Sequence, residues 1–132
     1  MSELKISDML KMQYNLWEAH KDKWEPMEPL YARESLLWMI EEVGEVISII
    51  KKKGEDNIQS DPHVKAAFTE ELCDVLMYYL DTLNRYGISA EDLSKAFAKK
   101  HNYNMKRDFS AQHDNFLNPD NEQISNNLRI TK

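Results

Sequence analysis

Three glycines and four prolines in 132 residues leave little material for tight turns, which argues against a turn-rich β sandwich or barrel and for an all-α fold. Cysteine is scarcer still. Cys73 alone rules out an internal disulfide and fits a reducing, cytoplasmic setting. There is no apolar run of about eighteen residues, so no membrane span is expected. The opening "MSELKISDML" lacks the basic start and apolar stretch of a secretory signal. Excess positive charge is missing as well: 17 Lys and Arg stand against 23 Asp and Glu, for a formal charge of −6. A nucleic-acid polymer, whose binding needs basic surface, is therefore not an expected partner. A small anionic ligand is still compatible, provided metal ions or local basic residues receive it.

The chain contains 42% apolar and 30% charged residues, and its length suits one domain with a single core. Four helical segments follow from periodicity and caps. The first spans roughly 7–23, with Ser7 as cap and Leu10, Tyr14 and Trp17 at helical spacing. Pro26 and Pro29 then mark a loop. The second helix is expected from about Leu30 to Lys53, ending at Gly54 after three lysines. Its stripe Leu36, Ile40, Val43, Ile47 and Ile50 is predicted to face the core, with Glu34, Glu41, Glu42, Glu45, Trp38 and Ile49 opposite. After the loop "GEDNIQSDP", Asp61 and Pro62 start a third helix that runs to about Tyr86 before Gly87. Nearly all its sides are apolar apart from the stripe Glu71, Asp74, Tyr78 and Asp81, so burial is expected all round, with Cys73 as an inert core thiol. The fourth helix opens at Ser89, with Asp92 completing a capping box, and is basic towards Arg107. This gives a four-helix bundle-like protomer over 1–109 and an irregular C-terminal tail over 110–132.

Two knots of carboxylates stand out, "EEVGEV" (41–46) and "EELCDV" (70–75). Like charges one turn apart repel, and inside the most apolar regions they require a neutralising partner. The pairs Glu42/Glu45 and Glu71/Asp74 would converge if their helices pack side by side. An all-oxygen donor set suits Mg²⁺, with Mn²⁺ as a substitute, rather than zinc. With a neighbouring Glu as general base, such a site suits hydrolysis at phosphorus. A ferritin-like di-iron bundle needs Glu-x-x-His, and none of His20, His63, His101 or His113 has a Glu three residues earlier.

"EEVGEVISIIKKKG" followed by "EELCDVLMYYLDTL" resembles the MazG-type all-α nucleotide pyrophosphohydrolases, the superfamily of dimeric dUTPases and dCTP pyrophosphatases. The likeness covers about residues 30–109 and includes every position of the E-x-x-E…E-x-x-D signature. It implies Glu42, Glu45, Glu71 and Asp74 as Mg²⁺ ligands, with Glu42 or Glu45 as catalytic base. It also implies cleavage of a nucleoside triphosphate to monophosphate and pyrophosphate, a nucleotide-pool housecleaning activity. Within "KHNYNMKR", Lys100, Asn104 and Arg107 match the spacing of residues that contact phosphates in such proteins, although Asp108 and Phe109 stand where Tyr-Pro is common.

Three further residues join the candidates for substrate binding. Asp81 either serves base or ribose recognition or an additional metal, or pairs with Arg85 one turn on, and Trp24 and Trp38 can each stack on a nucleobase. Helices apolar on more than one face predict a homodimer or homotetramer. The alternative function is a non-catalytic helical module whose acidic face holds a structural metal or a basic partner.

Overall fold

The computed structural model describes residues 2–108, 110, 114 and 116–118. It divides into two compact units, Met1–Leu93 and Ser94–Lys132. The described residues form five α-helices and no strand, an all-α bundle-like fold: α1 (Ile6–His20), α2 (Ala32–Lys53), α3 (Glu55–Ser60), α4 (Pro62–Arg85) and α5 (Ala90–Lys106). A single 3₁₀ turn, Pro29–Tyr31, precedes α2. The expected irregular tail lies mostly outside the described residues, and Ser110, Asp114, Phe116 and Leu117 have helical backbone.

Local chemistry accounts for the helix ends. α4 starts as expected: the Asp61 carboxylate accepts from the N–H groups of His63 (2.9 Å) and Val64 (3.4 Å), and Pro62 fills the first position. α5 carries the expected capping box, in which Ser89 N–H donates to Asp92 (3.1 Å) and Asp92 N–H to the Ser89 hydroxyl (3.0 Å). α2 stops at Gly54, whose φ of 77° is the left-handed conformation that glycine adopts without strain. α1 departs from expectation at its start. Its cap is Lys5, whose N–H donates to the Asp8 carboxylate at 3.2 Å, and Ser7 lies one residue inside. The stretch after Gly54, expected to be a loop, forms α3, which buries Ile58.

In the first unit α4 is central: α1, α2 and α3 all pack on it, α2 along the longest seam. Leu10 of α1 joins Leu80 and Leu83 of α4 in the core, against Met9, Ala90 and Leu93. Two expectations about faces fail. The stripe assigned to the core of α2 is open, with Ile40 63% and Ile47 45% exposed, and Leu36 and Val43 are exposed too. The buried positions are Ala32, Ser35 and Val46, with Met39, Glu42 and Ile49 half-buried. That face is rotated from the predicted one by about 100°. Small side chains at Ala32 and Ser35 allow close approach to α4, and the Ser35 hydroxyl donates to Asp81. α4 in turn is buried only over its last two turns; Leu72, Leu76, Tyr79 and Cys73 are exposed. Both helices thus direct polar residues into their seam and leave apolar ones outside.

Candidate active site

The seam between α2 and α4 gathers acids. Carboxylate oxygens of Glu42, Glu71 and Asp74, all half-buried, lie within 4.8 Å of one another. Glu45, one turn beyond Glu42, is exposed and outside this trio. Glu41 and Glu70 are exposed as well. Partial burial raises the pKa of Glu42 above its ordinary 4.5, and the charges of Asp74, Glu71, Glu41 and Glu45 push it further the same way. Tyr78, one turn from Asp74, is also raised above 10.0, first by burial and then by Glu42, Asp74, Glu41 and Asp81. Its phenol therefore stays protonated at neutral pH, able to donate a hydrogen bond.

Asp74 also lines a cavity of about 510 Å³. From α1 and the loop after it come Gln13, Leu16, Lys23 and Trp24; from the 3₁₀ turn comes Tyr31, and from the start of α2 Glu34, Ser35 and Trp38; from α4 come Met77, Tyr78, Asp81 and Arg85. Trp24 stacks on His20, with ring centroids 4.8 Å apart and planes at 27°. The loop that carries it is held by the Trp17 indole N–H, which donates to Glu25 O at 2.8 Å. Asp81 is buried and adopts the second arrangement expected for it, the ion pair with Arg85, whose Nε lies 2.7 Å away. Arg85 also donates to the backbone carbonyls of Glu25 (3.3 Å) and Pro26.

The first unit therefore brings Glu42, Glu71 and Asp74 together, and places Trp24, Trp38 and Asp81 around a cavity that begins at Asp74. Lys100, Asn104 and Arg107 belong to the second unit. There Lys100 Nζ and the Arg107 guanidinium carbon lie 5.3 and 5.9 Å from the Tyr103 ring centroid. Asn104 Oδ1 is buried with no hydrogen-bond partner among the described residues. Sequence reasoning missed Gln13 altogether, since a lone Gln carries no periodic signal. Glu34 was legible only as one more acid on α2.

A family model described as the MazG nucleotide pyrophosphohydrolase domain matches residues 32–107, from the first residue of α2 to the end of α5. The chain belongs to that family. No curated protein and no solved structure matches the chain in the same kind of comparison. The MazG stretch supplies the acidic trio, whereas Gln13 and the Trp24 loop of the cavity wall lie ahead of it. MazG proteins generally use divalent metals, and the donor set fits one: three carboxylates at close range, oxygen-only, with no imidazole or thiolate among them. Among the described residues no helix is long and apolar enough to cross a membrane.

Proposed function

We infer that the protein is a Mg²⁺-dependent pyrophosphohydrolase of (deoxy)nucleoside triphosphates, acting on a cytoplasmic nucleotide pool. The observation that carries this reading is the convergence of Glu42, Glu71 and Asp74, the last of which also lines a cavity with aromatic walls. Glu42, Glu71 and Asp74 would hold the cation, with exposed Glu45 within reach of the same helix turn. Bound Mg²⁺ supplies charge to offset the triphosphate and polarises its oxygens. The chain does the rest. Glu45 or Glu42 accepts the proton of the attacking water, whose oxygen bonds to the α- or β-phosphorus. The anhydride between those phosphorus atoms breaks, leaving monophosphate and pyrophosphate. The protonated Tyr78 phenol is a donor available to the acids around it, while Trp24 and Trp38 offer flat faces to the base. Lys100, Asn104 and Arg107 are the phosphate-contact candidates, on the resemblance alone.

Pyrophosphate detection over all common NTPs and dNTPs, with Mg²⁺ and after chelation, tests this. Release with at least one nucleotide, lost on chelation and restored by Mg²⁺, is the expected result. Failure of every nucleotide overturns the assignment. Binding of a basic protein without turnover would instead favour the non-catalytic module.

We also assign the open stripe Leu36, Ile40, Val43 and Ile47 of α2, with Leu72 and Leu76 of α4, to another copy of the chain. Sedimentation is expected to give a dimer or tetramer that Ile40→Asp with Ile47→Asp converts to monomer. A monomeric parent chain contradicts that assignment.

A further inference from the structure

Two buried acceptors on residues of the cavity wall are unmet. Among the described residues, Oε1 of Gln13 and Oε2 of Glu34 accept no hydrogen bond, and both residues line the space that Asp74 opens into. Gln13 is only 8% exposed. A buried acceptor without a partner is unfavourable by about 1–3 kcal/mol, so two in one cavity point to a ligand that brings donors. A carboxylate accepts and does not donate, while an amide does both.

Position tells which part of a nucleotide those donors belong to. Glu34 precedes Glu42 by eight residues on α2, about 12 Å along the axis. With the phosphates at the acidic trio, the sugar hydroxyls fall short of that span, and the edge of the base reaches it. Trp24, Tyr31 and Trp38 supply the apolar walls that a flat ring needs.

We propose that Glu34, assisted by Gln13, selects nucleobases whose edge presents an amino group, namely cytosine, adenine and guanine, over uracil and thymine. This rests on the hydrolase reading above. An exocyclic NH₂ donates to the Glu34 carboxylate, and guanine adds an adjacent ring N–H that matches both oxygens. Uracil and thymine present one N–H flanked by two carbonyl oxygens, which meet the carboxylate lone pairs with repulsion. Gln13 tolerates either edge, because its amide can donate or accept, so discrimination falls to Glu34.

The test separates base selection from turnover. With the full chain in Mg²⁺, calorimetric titration of dCMP, dAMP, dGMP, dUMP and dTMP measures affinity for the uncleavable product. The tightest amino-bearing monophosphate is expected to bind at least about tenfold better than dUMP and dTMP, as a charge-assisted hydrogen bond allows. Glu34→Gln, nearly isosteric and able to donate, is expected to compress that ratio to about threefold or less. Equal or tighter binding of dUMP or dTMP, no binding of any monophosphate, or an unchanged ratio in folded Glu34→Gln each overturns the proposal. If circular dichroism shows that Glu34→Gln is unfolded, the parent ratio and a narrower ratio in Glu34→Met, which removes the carboxylate, carry the decision. Pyrophosphate release is read separately: selective binding without turnover overturns the hydrolase reading alone, and turnover without selective binding overturns the selection alone.

Discussion

Glu42→Gln and Asp74→Asn are each expected to lower pyrophosphate release by roughly a thousandfold, because a cation's stabilisation of developing charge is worth several kcal/mol and each 1.4 kcal/mol is tenfold. Both changes keep side-chain size and remove one charge from a trio whose oxygens lie within 4.8 Å of one another. Glu42→Gln also carries a stability signature of opposite sign. Glu42 has a pKa raised above 4.5 in the folded chain, so the folded state holds that proton more tightly than the unfolded one. Ionising it as pH rises from about 4.5 through the raised value therefore lowers stability, and the loss is complete once the pH has passed that value. Glu42→Gln removes it. The metal-free variant is expected to melt higher than the parent at neutral pH, and its advantage should vanish below pH 4.5. Mg²⁺ should raise the melting temperature of the parent, as any ligand of the folded state does, and leave that of the variant nearly unmoved. Unchanged turnover in both variants would sink the ligand assignment. Lost turnover with lower metal-free stability would make the effect one of folding.

This pairing of signs follows from how the site is built. A tight carboxylate cluster in the half-buried seam of two helices is unfavourable without a cation, and sites of function commonly retain such costs. Glu45, which completes the E-x-x-E pair, adds to the potential at Glu42 while staying exposed. Exposure suits a base that exchanges protons with solvent between turnovers.

The sequence was most informative where a local rule decides structure. Asp61 with Pro62, Ser89 with Asp92, and Gly54 after three lysines each act within one turn, and each end lies where it was expected. The acidic pairs were legible because repulsion between near neighbours needs an explanation before any fold is known. The inward face of α2 was not. A helical wheel sends the most apolar stripe inward on the assumption that every other side meets water, and here the seam with α4 lies about a quarter turn away from that stripe. Ser35 is buried because Asp81, 46 residues away, accepts its hydroxyl, and no local pattern announces such a partner. α3 was missed because six polar-rich residues carry too little periodicity, and only burial of Ile58 on a neighbour makes the segment a helix. Gln13 and Glu34 acquire meaning from a cavity whose walls come from three separate stretches of the chain.

Arg85→Ala is expected to destabilise the protein by about 3–5 kcal/mol, since it strands a buried carboxylate. Arg85 and Asp81 are 7% and 5% exposed, and their N–O distance is 2.7 Å. The guanidinium does more than neutralise Asp81: one nitrogen reaches the carboxylate and another the carbonyls of Glu25 and Pro26. A single residue thus joins α4 to the loop that presents Trp24, while Ser35 ties the same carboxylate to α2. Arg85→Lys keeps the charge but lacks the planar fork that serves acceptors in two directions, so it should recover only part of the loss. Removing the stranded charge as well, in Arg85→Met with Asp81→Asn, should be milder than Arg85→Ala, because the amide can still accept from Ser35 and no charge stays buried unpaired. Urea denaturation supplies the test through the shift of the midpoint at constant slope. A midpoint for Arg85→Ala equivalent to less than about 1 kcal/mol of loss would show the pair to be solvated in solution, and the loop carrying Trp24 would then owe its position to Trp17 and to the contacts of Trp24 with His20.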